Sequence, residues 1–157
     1  MTSNGYSYSS PPIPSPSLAY TLLSSADSEV NRLSYDLERF QTRHIPLTPY
    51  SMPLYHYERD RFSDLLRRLG HPIVRLRGIL IHPTLRGLID DARSQHFDPC
   101  ALVNLLGMTV QNDMELQDQY IPEHIDALLV YVRAIGSWIG AMLLQLLFQE
   151  PQMNGWH

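Results

Sequence analysis

The chain has 157 residues, 44% of them apolar, and a formal net charge of −4. That size predicts one domain with enough apolar side chains to build a core without a metal or disulfide staple. The single cysteine, Cys100, excludes an internal disulfide and fits a reducing, cytoplasmic setting, and the first 17 residues carry neither the basic nor the apolar region of a secretory signal.

Charge is unevenly spread: residues 1–55 carry −1, residues 56–96 carry +3 and residues 97–157 carry −6. A basic middle and an acidic C-terminal third predict ion pairing between the two, or a basic face for an acidic partner. All twelve basic residues are arginine, where ordinary usage predicts roughly eight lysines. A GC-biased genome, an overprinted frame in a compact viral genome, or removal of modifiable amines each account for that. Together with small size and missing catalytic motifs, this composition fits a viral accessory protein.

Residues 1–15, MTSNGYSYSSPPIPS, hold too few large apolar side chains to offset their ordering entropy and predict a disordered lead. Residues 16–43 read as one long helix, with Ser15 as cap and Pro16 in the first turn. Its apolar stripe is Leu18, Leu22, Ala26, Val30, Leu33, Leu37 and Phe40. The steps of three and four place that stripe on one face. It packs either on the protein's own core or, through Leu33, Leu37 and Phe40, as a seam with a second chain. The Ser24–Ser28 stretch is a point where the helix could break.

Residues 45–56 contain Pro46, Pro49 and Pro53 and predict an extended connector exposing Tyr50, Leu54 and Tyr55. Helix returns over 57–69, with Phe62, Leu65, Leu66 and Leu69 inward, and Gly70 and Pro72 predict its end. Residues 73–81 predict a further helical or extended piece, and Pro83 opens a helix to 95. Asp98 and Pro99 are a cap and first-turn pair for a helix over 99–106 that Gly107 ends. Residues 108–119 are polar and acidic.

The most distinctive element spans 122–149. Pro122, Glu123 and Asp126 suit a helix start. From Ala127 to Phe148 the polar breaks are Arg133, Ser137 and Gln145. Length alone permits a membrane span, and Gly136 with Gly140 permits close helix approach. A central helix sheathed by the others is the competing reading. The fold expected is therefore all-α: five to six helices around an apolar C-terminal helix, a single helical domain over 16–150, and a short tail over 151–157.

Catalytic motifs are missing from the chain: it has no P-loop, GxGxxG, GxSxG, HExxH or CxxC. No two histidines share one helix face at ligand spacing, so neither a metal nor a cofactor is expected. Cys100 stands at a helix start, which lowers a thiol pKa, but with no CxxC or other signature around it a buried or inert thiol is expected. Arg67, Arg68, Arg75, Arg77 and Arg86 fall within twenty residues and would form a phosphate-binding or acidic-partner patch if they shared a face. The expected function is non-enzymatic: an interaction or regulatory protein that binds a protein partner or itself. Nucleic-acid binding through the arginines and membrane anchoring through 122–149 are the alternatives.

Overall fold

A computed structural model describes residues 17–42, 52–115 and 123–155 of the chain. The lead over 1–15, the Ser15–Pro16 cap, the prolines of the connector before Met52 and Pro122 lie outside the described residues, as do the side chains of Leu54 and Tyr55. The described residues form five α-helices and no strand: α1 Leu18–Thr42, α2 Met52–Leu80, α3 Arg86–Ser94, α4 Pro99–Glu115 and α5 Glu123–Gly155, with a single 3-10 turn at Pro83–Leu85 before α3.

The all-α fold is an up-down-up-down bundle. α1 packs on α2 and α5, α2 on α4, and α4 on α5, so four helices close a ring and α3 joins α2 to α4 at one end. The pairs run antiparallel. Along α1 and α2, Phe40 meets Phe62 while Glu29 meets Arg75. Along α1 and α5, Gln41 donates to Asp126 while Val30 lies against Gly136. The C-terminal helix α5 is long and apolar, as expected. It is one of four walls, touching α1 and α4, because each helix has its own apolar stripe to bury.

Those stripes follow from spacing. On α1, Leu23, Ala26, Val30, Leu33, Leu37 and Phe40 are buried at alternating steps of three and four, which keeps one side of the helix on the core. Leu23 takes the place expected for Leu22, and Leu18 is exposed. Ser17 caps the described start of α1: its Oγ accepts from the Tyr20 amide at 3.1 Å. No break occurs at Ser24–Ser28. The Ser28 hydroxyl donates back to the Ser24 carbonyl and Asn31 donates to Asp27, both compatible with continuous helix.

Two predicted helix ends are overturned. α2 begins at Met52 within the expected connector and continues through Gly70 and Pro72. Pro53 sits in the first turn, where its missing N–H is no loss. Pro72 costs about 3 kcal/mol in a helix interior. Beyond it, Ile73, Leu76 and Leu80 are buried, and each contributes about 1.5–3 kcal/mol, so packing outweighs the local penalty. Gly107 likewise does not end α4, which runs to Glu115. A Cβ there would lie 2.6 Å from Arg77 Nη2, the movable end of a long side chain, and 3.5 Å from Ile73 Cγ2, so this glycine sits where α4 faces α2.

The chain closes α3 with His96 at φ 64°, the left-handed region. The Phe97 amide reaches the Ala92 carbonyl and the His96 amide the Arg93 carbonyl, both at 3.0 Å, which satisfies two carbonyls at the helix end. Asp98 then caps α4 as expected, its Oδ1 accepting from the Ala101 amide at 3.1 Å.

Candidate interaction site

Of the eleven exposed large apolar side chains among the described residues, four lie on α5, more than on any other helix. Its inner stripe, Ile125, Leu128, Leu129, Val132, Ile135 and Ile139, is buried in the bundle. The helix then continues to Gly155 with no fully buried side chain from Gly140 to Gln149. On the outer side and the overhang, Val130 is 62% exposed, Leu144 56%, Leu147 47% and Phe148 67%. Met142, Leu143 and Leu146 are half-buried against the core.

Beside this surface, α3 and α5 enclose a groove of about 620 Å³. Its apolar wall is Leu88, Ala92, Phe97, Ala134, Trp138 and Met142, and its polar rim is Asp91, Ser94, Gln95, Ser137 and Gln145. Phe97 and Trp138 stand with ring centroids 6.4 Å apart. The Schellman-type turn at His96 aims Phe97 toward α5, so the end of α3 shapes the groove. Sequence reasoning did not single out Trp138, Phe97, Leu144 or Phe148. The signal available was the second apolar face of 127–148, which exceeds what one core stripe requires.

The sequence-derived candidates fall in different places. Leu33, Leu37 and Phe40 are buried within the chain's own core, so the expected seam through them is replaced by intramolecular packing. Gly136 lies at the α1–α5 contact, where a Cβ would meet Val30 Cγ1 at 3.0 Å, whereas Gly140 has open space around it. The GxxxG spacing is therefore used at one glycine only.

The five arginines do not converge. Arg67 pairs with Asp64 on its own helix at 2.6 Å. Arg75 reaches α1, its Nε 2.8 Å from Glu29 Oε2. Arg77 crosses to α4, donating to Asn104 at 3.1 Å. Arg68 lines a groove between α1 and α2, and Arg86 a smaller one near Cys100. Of the pairs made by Arg67, Arg75 and Arg93, the Arg93–Asp98 contact joins the basic middle to the acidic third, as the charge profile suggested, while those of Arg67 and Arg75 do not. Arg93 is paired with Asp90 and Asp98. The acidic third is also tied in by Arg133, which meets Glu38 of α1 at 3.2 Å. Local geometry decided these pairings, since exposed pairs gain little from reaching further.

Cys100 is half-buried, and burial raises its thiol above the ordinary value, outweighing the lowering by Arg93; Asp98 pushes the same way as burial. A thiol raised in this way is less reactive, in line with the buried thiol expected. Asp113 is an acid the sequence reading passed over. It sits in the core stripe of α4 with Oδ1 2.6 Å from His124 Nδ1 of α5, while its buried Oδ2 lacks a hydrogen-bond partner. Burial pushes the Asp113 carboxyl up, and the His124 contact opposes this without cancelling it. No group of three or more His, Cys, Asp or Glu residues suited to a metal occurs among the described residues.

No family model matches the chain, and neither a curated protein nor a solved structure is similar to it.

Proposed function

We propose that this is a non-enzymatic helical interaction protein that engages another protein, or a second copy of itself, through the outer face and overhanging end of α5. One observation carries the reading. Beyond Ile139 the helix makes no fully buried contact, yet it exposes Leu144, Leu147 and Phe148. Contiguous apolar surface of this kind marks an interaction site on a soluble protein. The adjoining aromatic groove adds a pocket for an anchoring side chain.

A bilayer is the second reading, since His124–Gln149 is long and apolar enough to cross one. Three features weigh against a span. Six residues of that stretch close the core of the bundle. Arg133 and Asp126 are tied to Glu38 and Gln41 of α1. The ten residues from Gly140 to Gln149 measure about 15 Å, half of the ~30 Å hydrocarbon layer. Spanning would require α5 to leave α1 and expose Val30, Leu33 and Leu37. A nucleic-acid surface draws little support from arginines divided among several faces of a chain of net charge −4.

A photo-crosslinking residue at Leu144 tests the proposal in cells, with one at Arg67 as control. Protein adducts specific to Leu144 support the reading. Adducts to lipid alone, or the same pattern from both positions, refute it.

A further inference from the structure

The outer side of α5 has its own regular stripe. Val130, Ala134, Ser137, Ala141, Leu144 and Phe148 follow one another at steps of four, three, four, three and four. All are exposed except Ala134, which is half-buried. That spacing is the heptad repeat of a helix that packs along another helix. It runs opposite the inner stripe, so the bundle itself does not use it.

We propose that the outer stripe of α5 pairs antiparallel with the same stripe of a second copy, forming a two-fold homodimer. This rests on the interaction reading above and names its partner. Three observations select a second copy as the occupant.

First, the stripe is size-complementary to its own reverse. Turned about Ile139, Ser137 falls opposite Ala141, Ala134 opposite Leu144, and Val130 opposite Phe148. At the two outer levels a large residue meets a smaller one, and Ser137 with Ala141 lets the axes approach closely at the centre. Parallel pairing would instead set Leu144 on Leu144 and Phe148 on Phe148, leaving the small residues facing one another across a gap.

Second, the charges match. From Ala127 to Gln149 the helix carries Arg133 and no acid, and that arginine is held sideways by Glu38. A charged partner helix would lose hydration here with nothing opposite to compensate. The same uncharged stripe on a second copy avoids that loss.

Third, the contact closes on itself. In this register Leu144 of the second copy lies over Ala134, at the mouth of the groove walled by Trp138 and Phe97. By symmetry each copy gives one leucine and receives one, which makes an isologous, closed interface. From Val130 to Phe148 the stripe is about 27 Å long. One helix face of that length is smaller than the ~800 Å² per partner of a standard interface, so the dimer is concentration-dependent rather than permanent.

Sedimentation equilibrium of the full chain across the micromolar range tests this, with circular dichroism confirming unchanged helicity. The parent chain is expected to pass from monomer to dimer. Ser137→Glu or Ala141→Arg alone sets an unpaired charge in the seam and is expected to raise Kd by at least about tenfold. With both substitutions in one chain, the new carboxylate of each copy faces the new guanidinium of the other, and dimerisation returns. A chain that stays monomeric throughout overturns the proposal, whether or not it then floats with phosphatidylcholine–phosphatidylserine vesicles. A dimer indifferent to Ser137→Glu, or a double variant no better than the singles, also overturns it. Crosslinks from Leu144 to other proteins on a monomeric chain would remove the self-pairing and leave the interaction reading standing.

Discussion

Two glycines one turn apart on α5 give a matched test of how the bundle closes. At Gly136 a Cβ would sit 3.0 Å from Val30 Cγ1, while at Gly140 no atom outside the helix lies within 4 Å. Replacing either with leucine gains about 0.6–1 kcal/mol of helix propensity, because glycine loses the most backbone freedom in a helix. The gain is common to both sites and cancels in the comparison. At position 136 the added side chain must enter a packed α1–α5 contact, and overpacking of that kind costs about 1–3 kcal/mol. Gly140→Leu is therefore expected to melt at or above the parent. Gly136→Leu is expected to lie about 1–3 kcal/mol below Gly140→Leu, which is roughly 2–12 °C in Tm at 2–4 °C per kcal/mol for a chain of this size. Thermal and urea unfolding followed by circular dichroism at equal protein concentration reads the difference. Equal stabilities would refute the assigned α1–α5 contact. Equal large losses at both positions would point instead to a GxxxG seam that uses both glycines.

Pro72→Ala restores an amide donor inside α2 and relieves the ring clash, so it is expected to raise stability by up to about 3 kcal/mol; a loss in urea unfolding would contradict the continuous helix. Leu33→Ala is expected to cost about 2–5 kcal/mol as a core truncation, while Leu144→Ala, on the exposed overhang, should leave monomer stability within about 0.5 kcal/mol. Comparable losses from the two would invert the assignment of core and surface. Asp113 has a folded-state pKa raised by burial, so its neutral form suits the fold. Stability is then fullest below the ordinary aspartate value of about 3.9 and falls as pH climbs from there through the raised value. Asp113→Asn removes that slope, and its stability relative to the parent should grow with pH over this window; a pH-independent difference would discard the idea. Cys100, with a thiol raised by burial, should react with iodoacetamide at neutral pH more slowly than it does in denaturant, and equal rates would disprove that protection.

Periodicity made some of this fold legible and concealed the rest. The α1 stripe was readable because polar residues flank it on both sides, leaving one apolar face. Near its start, spacing does not separate Leu22 from Leu23, since both are equally apolar and the burial of Leu23 depends on the neighbouring helix. The helices run past Gly70, Pro72 and Gly107 because glycine and proline report local propensity alone. Ile73, Leu76 and Leu80 lie beyond the first two, and the packing of these residues decides the length of α2. Gly107 reflects a contact with Ile73 and Arg77, thirty or more residues earlier, which no local window contains. Asp113 was legible in principle: Val103, Leu106, Val110 and Asp113 step by three, four and three onto the buried face of α4. An acid at such a spacing ordinarily belongs to a solvated face, which hides its burial.

α5 posed the harder problem, and its physics explains why. A helix with one apolar stripe has an evident moment and an evident partner. α5 carries the inner stripe from Ile125 to Ile139 and the outer residues from Val130 to Phe148, so apolar side chains occur on nearly every side. Read as composition, that pattern equals a membrane span or a sheathed central helix, because both bury every face. The bundle resolves the inner half by supplying α1 and α4 as neighbours, and it leaves the outer half uncovered. A bilayer would cover both halves but only by removing the inner stripe from the core it closes. A helix laid along the outer stripe covers the remainder and leaves the core intact. Such a pairing would bury both stripes of α5 and leave the contact of Arg133 with Glu38 in place at the edge of the seam.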